Sequence, residues 1–516
     1  MTHTTEPGGG AHARDGLAAK GEHTKRTGGH KKGLHRRKFL GGMAGIGLGA
    51  VAAAGATFSL LTEGTRSKAA AATDGTLTIP DLLEGTTSDG TTTFTLAAQT
   101  GTAEVLSGVT STTAGYNQSF LGPTLKWTKG DTVLLNITNN LSEDTTVHFH
   151  GAHVPPKMDG GPQNAFSAGT TWTPAFEVLD EAKTLWYHPH ALGTTAEQAT
   201  HGLAGMIIVE DDSDASAALP GDYGVDDIPL IFQCLAVDSA GDIKYNQSGY
   251  LSSGLSFPLL VNGENVDDTT LAFAATKTRN RFRALNASPS DIISLQRSDG
   301  GTLTQIATEQ GYLTEATEVT SIRLVAGARA EFVMDVTEDV TLEAVVTTGW
   351  IRGGSGTYEF LTVTAGGTDT PDDLPSTLNT IERYDTSDFT ARTITLSNTG
   401  ATMKINGSAG LSMASMAMIS TTLGAKEIWT ITNSSQLEHS FHLHDVPYQV
   451  ISINGEAPTG VDLGWRDTYE VVGGGTLVIA MEFTDFADDT YMYMLHCHLL
   501  QHEDEGMMAS LMVTES

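Results

Sequence analysis

From residue 75 onward the chain is written in short runs rich in Val, Ile, Leu, Thr and Phe, such as Asp131–Thr138, Met206–Glu210 and Arg329–Val336. Apolar and polar positions tend to alternate in them, and helical periodicity is scarce. A period of two places successive side chains on opposite faces of a strand. Gly, Asp and Asn clusters punctuate the runs. Short strands at this spacing, with turn residues between them, predict an all-β chain of sandwiches. Two stretches interrupt the pattern: Asp211–Gly221 is acidic and rich in small residues, and Gly366–Pro375 is rich in Gly, Thr, Asp and Pro. They cut the chain into blocks of about 140–150 residues, a usual domain length. The predicted domains are residues 73–215, 216–366 and 388–516, with 367–387 as a linker.

The first 72 residues follow another rule. Residues 1–35 are rich in Gly, His and Lys and lack apolar periodicity. His35-Arg36-Arg37-Lys38-Phe39-Leu40 then leads into a Gly/Ala-rich apolar run, Gly41 to Leu61, and the small residues Ala69 to Ala72 follow. A basic region, an apolar stretch and a small-residue end predict an export signal. The paired arginines before Phe-Leu resemble a twin-arginine signal. That resemblance implies the twin-arginine export machinery as a partner, folding before export, and a secreted, cell-surface or periplasmic protein. His35 stands where Ser or Thr is more common. The apolar run is just long enough to span a bilayer, but so much Gly and Ala makes a poor anchor. A cleaved signal with no stable membrane insertion afterwards is expected, and no other apolar run is long enough to cross.

The chain has 516 residues, 39% of them apolar and 17% charged. That is ample for large cores and excludes both a disordered polyelectrolyte and a membrane protein. Removing the 11 Lys/Arg and 4 Asp/Glu of residues 1–72 from totals of 29 and 61 leaves 18 basic and 57 acidic residues, a net of −39. Phosphate neutralisation needs a basic surface, so a nucleic-acid partner is excluded. Such a field concentrates cations and repels anions, or it simply keeps an exported protein in solution. The two cysteines, Cys234 and Cys497, could form a disulfide in an exported protein; the histidines argue otherwise.

Five of the seventeen histidines (His3, His12, His23, His30 and His35) lie in the leader. Ten of the other twelve fall into four clusters: His148-Phe149-His150-Gly151; His188-Pro189-His190; His439-Ser440-Phe441-His442-Leu443-His444; and His496-Cys497-His498 with His502. Imidazoles at alternate strand positions point the same way, about 7 Å apart along the chain. Four such pairs give eight inward imidazoles, enough for three copper ions, although imidazole also suits zinc, iron and nickel.

The fourth cluster selects among these metals. Cys497 is followed by His502 and Met507. With His439 they make two imidazoles, a thiolate and a thioether, the donor set of a blue-copper electron-transfer site. A structural zinc site would need more thiols than the chain has. If Cys497 faces one copper, its neighbours His496 and His498 face the other way, toward the remaining metals.

As they stand, HFHG, HPH, HSFHLH and HCHLLQHEDEGM resemble the copper motifs of the multicopper oxidases. The resemblance covers nearly all of residues 75–516. It includes Met158-Asp159-Gly160-Gly161-Pro162-Gln163, Gly202-Leu203-Ala204-Gly205 and Gly464-Trp465-Arg466-Asp467. It implies three cupredoxin-like Greek-key domains and four coppers per chain. The type 1 copper would take His439, Cys497, His502 and Met507, and the type 2 copper His148 and His442. The type 3 pair would take His150, His188, His190, His444, His496 and His498. The implied reaction joins one-electron oxidation of a small reductant to four-electron reduction of O2. Similar oxidases relay protons through acids at the positions of Asp159 and Glu503; either could equally accept a hydrogen bond from a ligand imidazole.

Other residues read more plainly. His153 and His201 belong to no pair and read as hydrogen-bonded structural residues. Cys234, in an apolar run, reads as a buried inert thiol. Met413, Met416 and Met418 could mark a cuprous-ion path or only pack a core. Copper-detoxifying relatives carry a methionine-rich insertion in the third domain, but residues 351–400 contain no methionine. Where those relatives have an acid and a methionine before the first type 1 histidine, this chain has Ser435 and Leu437. Phenols or aromatic amines are therefore the expected reductants, oxidised near His502 or His439, with cuprous, ferrous or manganous ions as the alternative. A non-enzymatic exported cupredoxin protein would be missing histidines, and none is missing. A two-domain nitrite reductase has no use for the third block. The oligomeric state has no sequence signature.

Overall fold

The structure, a computed structural model, describes residues 75–348 and 355–515; the predicted export signal lies outside the described residues. Residues 82–210 form a five-stranded sheet and a six-stranded sheet; residues 227–365, a seven-stranded and a five-stranded sheet; residues 390–514, a six-stranded and a five-stranded sheet. Each pair encloses its own apolar core. In each sandwich an early strand pairs in parallel with a later one. The pairs are Thr91–Leu106 with Thr132–Asn139, Asp227–Cys234 with Arg279–Asn286, and Thr390–Thr399 with Lys426–Asn433. Parallel neighbours cannot be joined by a hairpin. The chain between them crosses to the opposite sheet, which gives all three sandwiches the Greek-key path of a cupredoxin.

The sequence pattern explains the layers. The run at Asp131–Thr138 becomes strand Thr132–Asn139, which buries Val133, Leu135 and Ile137 and leaves the alternate residues half-exposed. The run at Arg329–Val336 becomes strand Arg329–Asp335 in the middle of the seven-stranded sheet. Its polar positions are buried too, because that face turns toward the other sandwiches. Arg329 reaches Asp467, and Glu331 accepts from Thr184 at 2.7 Å. The acidic stretch after residue 210 folds into the short helix Asp214–Ala218, capped by Ser213. Its Ala215 and the following Leu219 pack with Ile306, Tyr312 and Leu378.

Buried ion pairs hold the sandwiches internally and to one another. Arg329 pairs with Asp467, Arg466 with Glu309, and Lys183 with Asp180, and Lys183 also donates to Gln310 at 2.6 Å. Glu331 accepts from both Arg281 and Arg283. Opening one side of such a pair leaves an uncompensated buried charge, at a cost of about 3–5 kcal/mol. Glu331→Gln is therefore expected to destabilise the protein by about 3–5 kcal/mol, read as a lowered denaturation midpoint. An unchanged midpoint would show that this pairing does not hold the second sandwich together.

Candidate metal centre

Two antiparallel strand pairs carry the histidines. In the first sandwich His148–His150 pairs with Lys183–His188, placing His148 opposite His188. In the third, His439–Leu443 pairs with Tyr493–Cys497, placing His442 opposite His496 and Phe441 opposite Cys497. The two pairs face each other across the boundary between the sandwiches. His148 stacks on His444 with ring centres 3.9 Å apart, and His150 stacks on His442 at 3.7 Å. His190 lies 4.7 Å from His496, and His150 lies 4.8 Å from His498. All eight rings are fully buried.

Alternation sorts the third-sandwich residues. Phe441, Leu443, Leu495 and Cys497 point into the apolar core. His442, His444, His496 and His498 meet the first-sandwich histidines instead. His439 shares the core face with Cys497: their Nδ1 and Sγ atoms are 3.5 Å apart, and His502 Nδ1 is 3.7 Å from the same sulfur. Met507 is buried in that core, and its carbonyl accepts from the Cys497 N–H at 3.0 Å. Cys234 is a free buried thiol far along the chain, so the two cysteines form no disulfide.

Hydrogen bonds fix which nitrogen each ring presents. The Nδ1–H groups of His148, His188 and His442 donate to the carbonyls of Asp159, Pro189 and Asp467 at 2.7, 2.8 and 3.0 Å. Their Nε2 atoms are buried and have no partner among the described residues. Nitrogens of His190, His444 and His496 converge, with Nε2–Nε2 separations of 3.1 and 3.2 Å to His496. Orphaned lone pairs in a dry site fit a metal, and an outer hydrogen bond on the second nitrogen is how protein imidazoles are oriented toward one. Ligand atoms gather within 4.8 Å in the sets His148/His150/His188, His148/His442/His444, His190/His444/His496 and His439/Cys497/His502. Imidazoles alone in three sets, and imidazoles with a thiolate in the fourth, fit copper.

Electrostatics agree with that fit. Burial pushes His150, His188, His190, His442, His498 and His502 well below the usual imidazole range, His439 to about 4 and His444 to about 3. The rings are neutral and their lone pairs available. Burial raises the Cys497 thiol to about 12, so a metal must displace its proton.

Both predicted acids touch the cluster. Asp159 Oδ2 is 2.8 Å from His444 Nδ1, and its Oδ1 is 3.3 Å from His148 Nδ1. Glu503 lies 3.3 Å from His190 Nδ1 and 3.1 Å from His496 Nδ1. Burial works against ionising either acid. The imidazoles overcome it, holding Asp159 well below the carboxylate range and Glu503 at about 2. Asp504 behaves oppositely: burial first, then the Glu503 charge, keep it protonated well above its usual range.

Sequence reading missed Arg329, Thr468 and Trp186, and met Asp467 only inside a motif. Arg329 comes from the second sandwich and binds both Asp467 oxygens, at 2.8 and 2.7 Å. Asp467 and Thr468 in turn lie 3.4 and 3.2 Å from His150 Nε2. Trp186 stacks on His188 at 4.1 Å. Ser435 Oγ meets His439 Nε2 at 2.9 Å. A lone arginine in a strand carries no signal of such a role; the tryptophan, next to the second cluster, could have been flagged. His153 bridges Asp445 and Asp485, and His201 donates to the Glu197 carbonyl, as the structural reading expected. A cleft of about 450 Å³ lies beside His201 and Tyr245, and no histidine of the buried cluster lines it.

Two family profiles, both of multicopper oxidase, match residues 97–214 and 373–516. A multicopper oxidase of Staphylococcus aureus is 32% identical over 451 residues, 85% of this chain and 92% of its own. The chain belongs to the multicopper oxidases. It is an oxidoreductase that takes electrons from a reducing substrate and uses oxygen, and copper is the metal its family implies. Cell division protein FtsP of Escherichia coli (strain K12) is 32% identical over 420 residues, 79% of this chain and 86% of its own. Among solved structures, a laccase-like multicopper oxidase of Ochrobactrum sp. superposes with a TM-score of 0.75 at 28% identity, covering 85% of this chain and 100% of its own. Among the described residues no helix is long and apolar enough to cross a membrane.

The neutral imidazoles set a pH dependence. An unfolded histidine takes a proton near pH 6.5, and these folded ones refuse it until far lower pH. The metal-free oxidase is therefore expected to hold full stability above about pH 6.5 and to lose it as pH falls through 6 and 5. Thermal unfolding of the metal-free protein checks this; a flat midpoint between pH 7 and 5 would contradict it.

Proposed function

We propose that this multicopper oxidase is laccase-like: it removes single electrons from phenols or aromatic amines and reduces O2 to water. His439, Cys497, His502 and Met507 would hold a type 1 copper. His148 and His442 would hold the type 2 copper, and His150, His188, His190, His444, His496 and His498 the type 3 pair, four ions in all. When bound, copper supplies the one-electron relay and the four-electron reduction of oxygen. The observation that carries the reading is the placement of Cys497 on one face of its strand and His496 on the other, one residue apart.

The chain's own residues do the rest. His439 lies beside a small, largely enclosed void of about 10 Å³ lined by Ser290, Ile292, Val325, Glu438 and Leu499, and the reductant's electron would enter through the His439 edge. Ser435 accepts the His439 Nε2 proton and holds the ring toward Cys497. It is a neutral partner where metal-oxidising relatives have an acid. At the oxygen site Asp159 and Glu503 hold imidazoles through both carboxylate oxygens, and they would relay protons to it. Protonated Asp504 adjoins Glu503 as the nearest proton reserve. It is anchored by the N–H groups of Thr195 and Ala196 at 3.3 and 2.9 Å.

The Ochrobactrum relative is described as acting on lignin model compounds, which supports phenolic reductants here. Glu438 beside His439, raised by burial and by the charge of Glu470, favours the second reading, a cuprous, ferrous or manganous substrate. The Arg-Arg leader supports export to the cell surface, periplasm or medium.

Oxygen uptake with a methoxyphenol is expected to exceed uptake with a cuprous complex; the reverse order would install the metal-ion reading. In Glu503→Gln, turnover is expected to fall about 100-fold while an intense band near 600 nm persists. Unchanged turnover across the acidic range would remove Glu503 from proton delivery. Met507→Leu removes the thioether and is expected to raise the type 1 potential in a redox titration; an unchanged or lower potential would refute that ligand.

A further inference from the structure

His153 belongs to none of the gathered ligand sets, yet both of its ring nitrogens are taken. Nδ1 is 2.7 Å from Asp445 Oδ1, and Nε2 is 3.1 Å from Asp485 Oδ2. His153 lies in the first sandwich and both aspartates in the third, so the ring bridges the boundary at which the histidine cluster forms. Its backbone N–H donates to Asp180 at 3.1 Å, and its ring packs on Phe486 with centres 4.9 Å apart. Asp445 is buried, His153 nearly so, and Asp485 exposed.

Asp445 directly follows His444 and is the middle residue of a tight turn, in which the Val446 N–H donates to the His444 carbonyl at 3.1 Å. Its φ is +74°, and that of Asp485 is +66°. A three-residue turn of this hand is rare and strained, and glycine adopts it more easily than any other residue. Such strain persists where the surroundings over-determine it. A carboxylate at both turns answers to a need other than the backbone's, and what both carboxylates meet is His153. The same stretch of the first sandwich reaches His444 a second time, where Asp159 Oδ2 accepts its Nδ1–H at 2.8 Å. Between these two grips the Val154 carbonyl accepts the Tyr493 hydroxyl at 2.6 Å. Asp159 fixes the His444 ring, and His153 fixes the backbone that carries it.

A ring between two carboxylates has to be charged to satisfy both. Neutral imidazole donates from one nitrogen and turns a lone pair on the other carboxylate; imidazolium donates from both. Burial works against the charge, but Asp445, Asp180 and Asp485 outweigh it and raise the ring to about 9. The cation nearby, Lys183, is itself bonded to Asp180 at 2.9 Å. We propose that His153 is a positioning residue for the histidine cluster, an imidazolium clamp that holds the His444 turn against the first sandwich so that ligands from both sandwiches can share copper. The role rests on the copper reading above and is independent of which reductant the enzyme uses. A group raised from 6.5 to about 9 contributes fully below pH 6.5, and its contribution is lost as pH rises through 9. The clamp opens at alkaline pH. His439, Cys497 and His502 lie wholly within the third sandwich and do not depend on it.

The charged bridge is tested without metal, by nuclear magnetic resonance of the metal-free full-length chain with isotope-labelled histidine nitrogens. The His153 signals, assigned by their loss in His153→Gln, are expected to show both nitrogens protonated at pH 7 and to titrate at about 9. In Asp485→Asn they are expected to titrate at lower pH. A neutral ring at pH 7 overturns the clamp. Copper retention tests the positioning. With the copper-loaded chain held against a chelator at pH 7, His153→Gln is expected to lose the copper shared between the sandwiches about tenfold faster than the parent, while the band near 600 nm persists. The ratio of the two rates is expected to shrink toward one above about pH 9, where the parent's clamp is open too. Should His153→Gln fold poorly, Asp485→Asn, at an exposed position, is expected to lose copper faster than the parent and from a lower pH. Equal copper loss in the parent and a folded variant, or a ratio unchanged from pH 7 to about pH 10, overturns the positioning role. A chain that takes up no copper at all removes the copper reading and the positioning role with it, and leaves the charged bridge to stand on the resonances.

Discussion

One strand, Tyr493–Cys497, has to serve two environments at once, and its pleat makes that possible. Successive side chains point to opposite faces. The Cys497 sulfur therefore reaches His439 and His502 in a dry apolar core, while His496 and His498 meet the first-sandwich histidines. The backbone between them is the shortest covalent link two such sites can have. A slip of one residue in the pairing with His439–Leu443 would turn the sulfur outward and bury the imidazoles in a core with no partner. The pairing Phe441 to Cys497 and His442 to His496 is thus fixed by the apolar core and by the histidines together.

The second sandwich supplies no histidine to the cluster, yet it builds one wall. Arg329 grips both oxygens of Asp467, and Asp467 reaches His150 through its side chain and His442 through its carbonyl. Gly327 approaches the His498 ring so closely that a Cβ there would lie 2.7 Å from it, and its φ of +86° is one that glycine alone adopts easily.

Much of this was legible in the sequence. The period-two runs and the His-x-His spacing dictate strands with paired imidazoles, and Cys497 between two histidines dictates opposite faces. Asp159 and Glu503 were legible only by resemblance, since a single acid carries no geometry. Arg329 was not legible: its alternation marks it as a polar-face residue, and only the packing of three sandwiches turns that face inward. The leucine and alanine of the acidic stretch after residue 210 gave no sign that Leu219 and Ala215 would be buried, because burial there comes from Ile306 and Tyr312 of another block. The methionines read ambiguously for a similar reason. Met413, Met416 and Met418 are close in sequence, but Met494 and Met508 join them only through strand pairing.

The charge balance of the cluster shows what the fold was shaped around. Asp159 and Glu503 are fully buried and held below the usual carboxylate range, and each lies against a histidine, His444 or His190, that burial holds well below the usual imidazole range. Asp467 has Arg329 as counter-charge; among the described residues Asp159 and Glu503 have no arginine or lysine partner. An isolated buried carboxylate is too costly to leave so. Either the histidines take protons, which their mutual crowding opposes, or cations sit where the orphaned nitrogens converge. Bound metal ions would offset the two carboxylates and displace the Cys497 proton, removing the mismatches together. Copper is then part of the electrostatic design of the fold as well as of its chemistry. The boundary between the first and third sandwiches, where the rings stack at 3.7 and 3.9 Å, is where that design is concentrated.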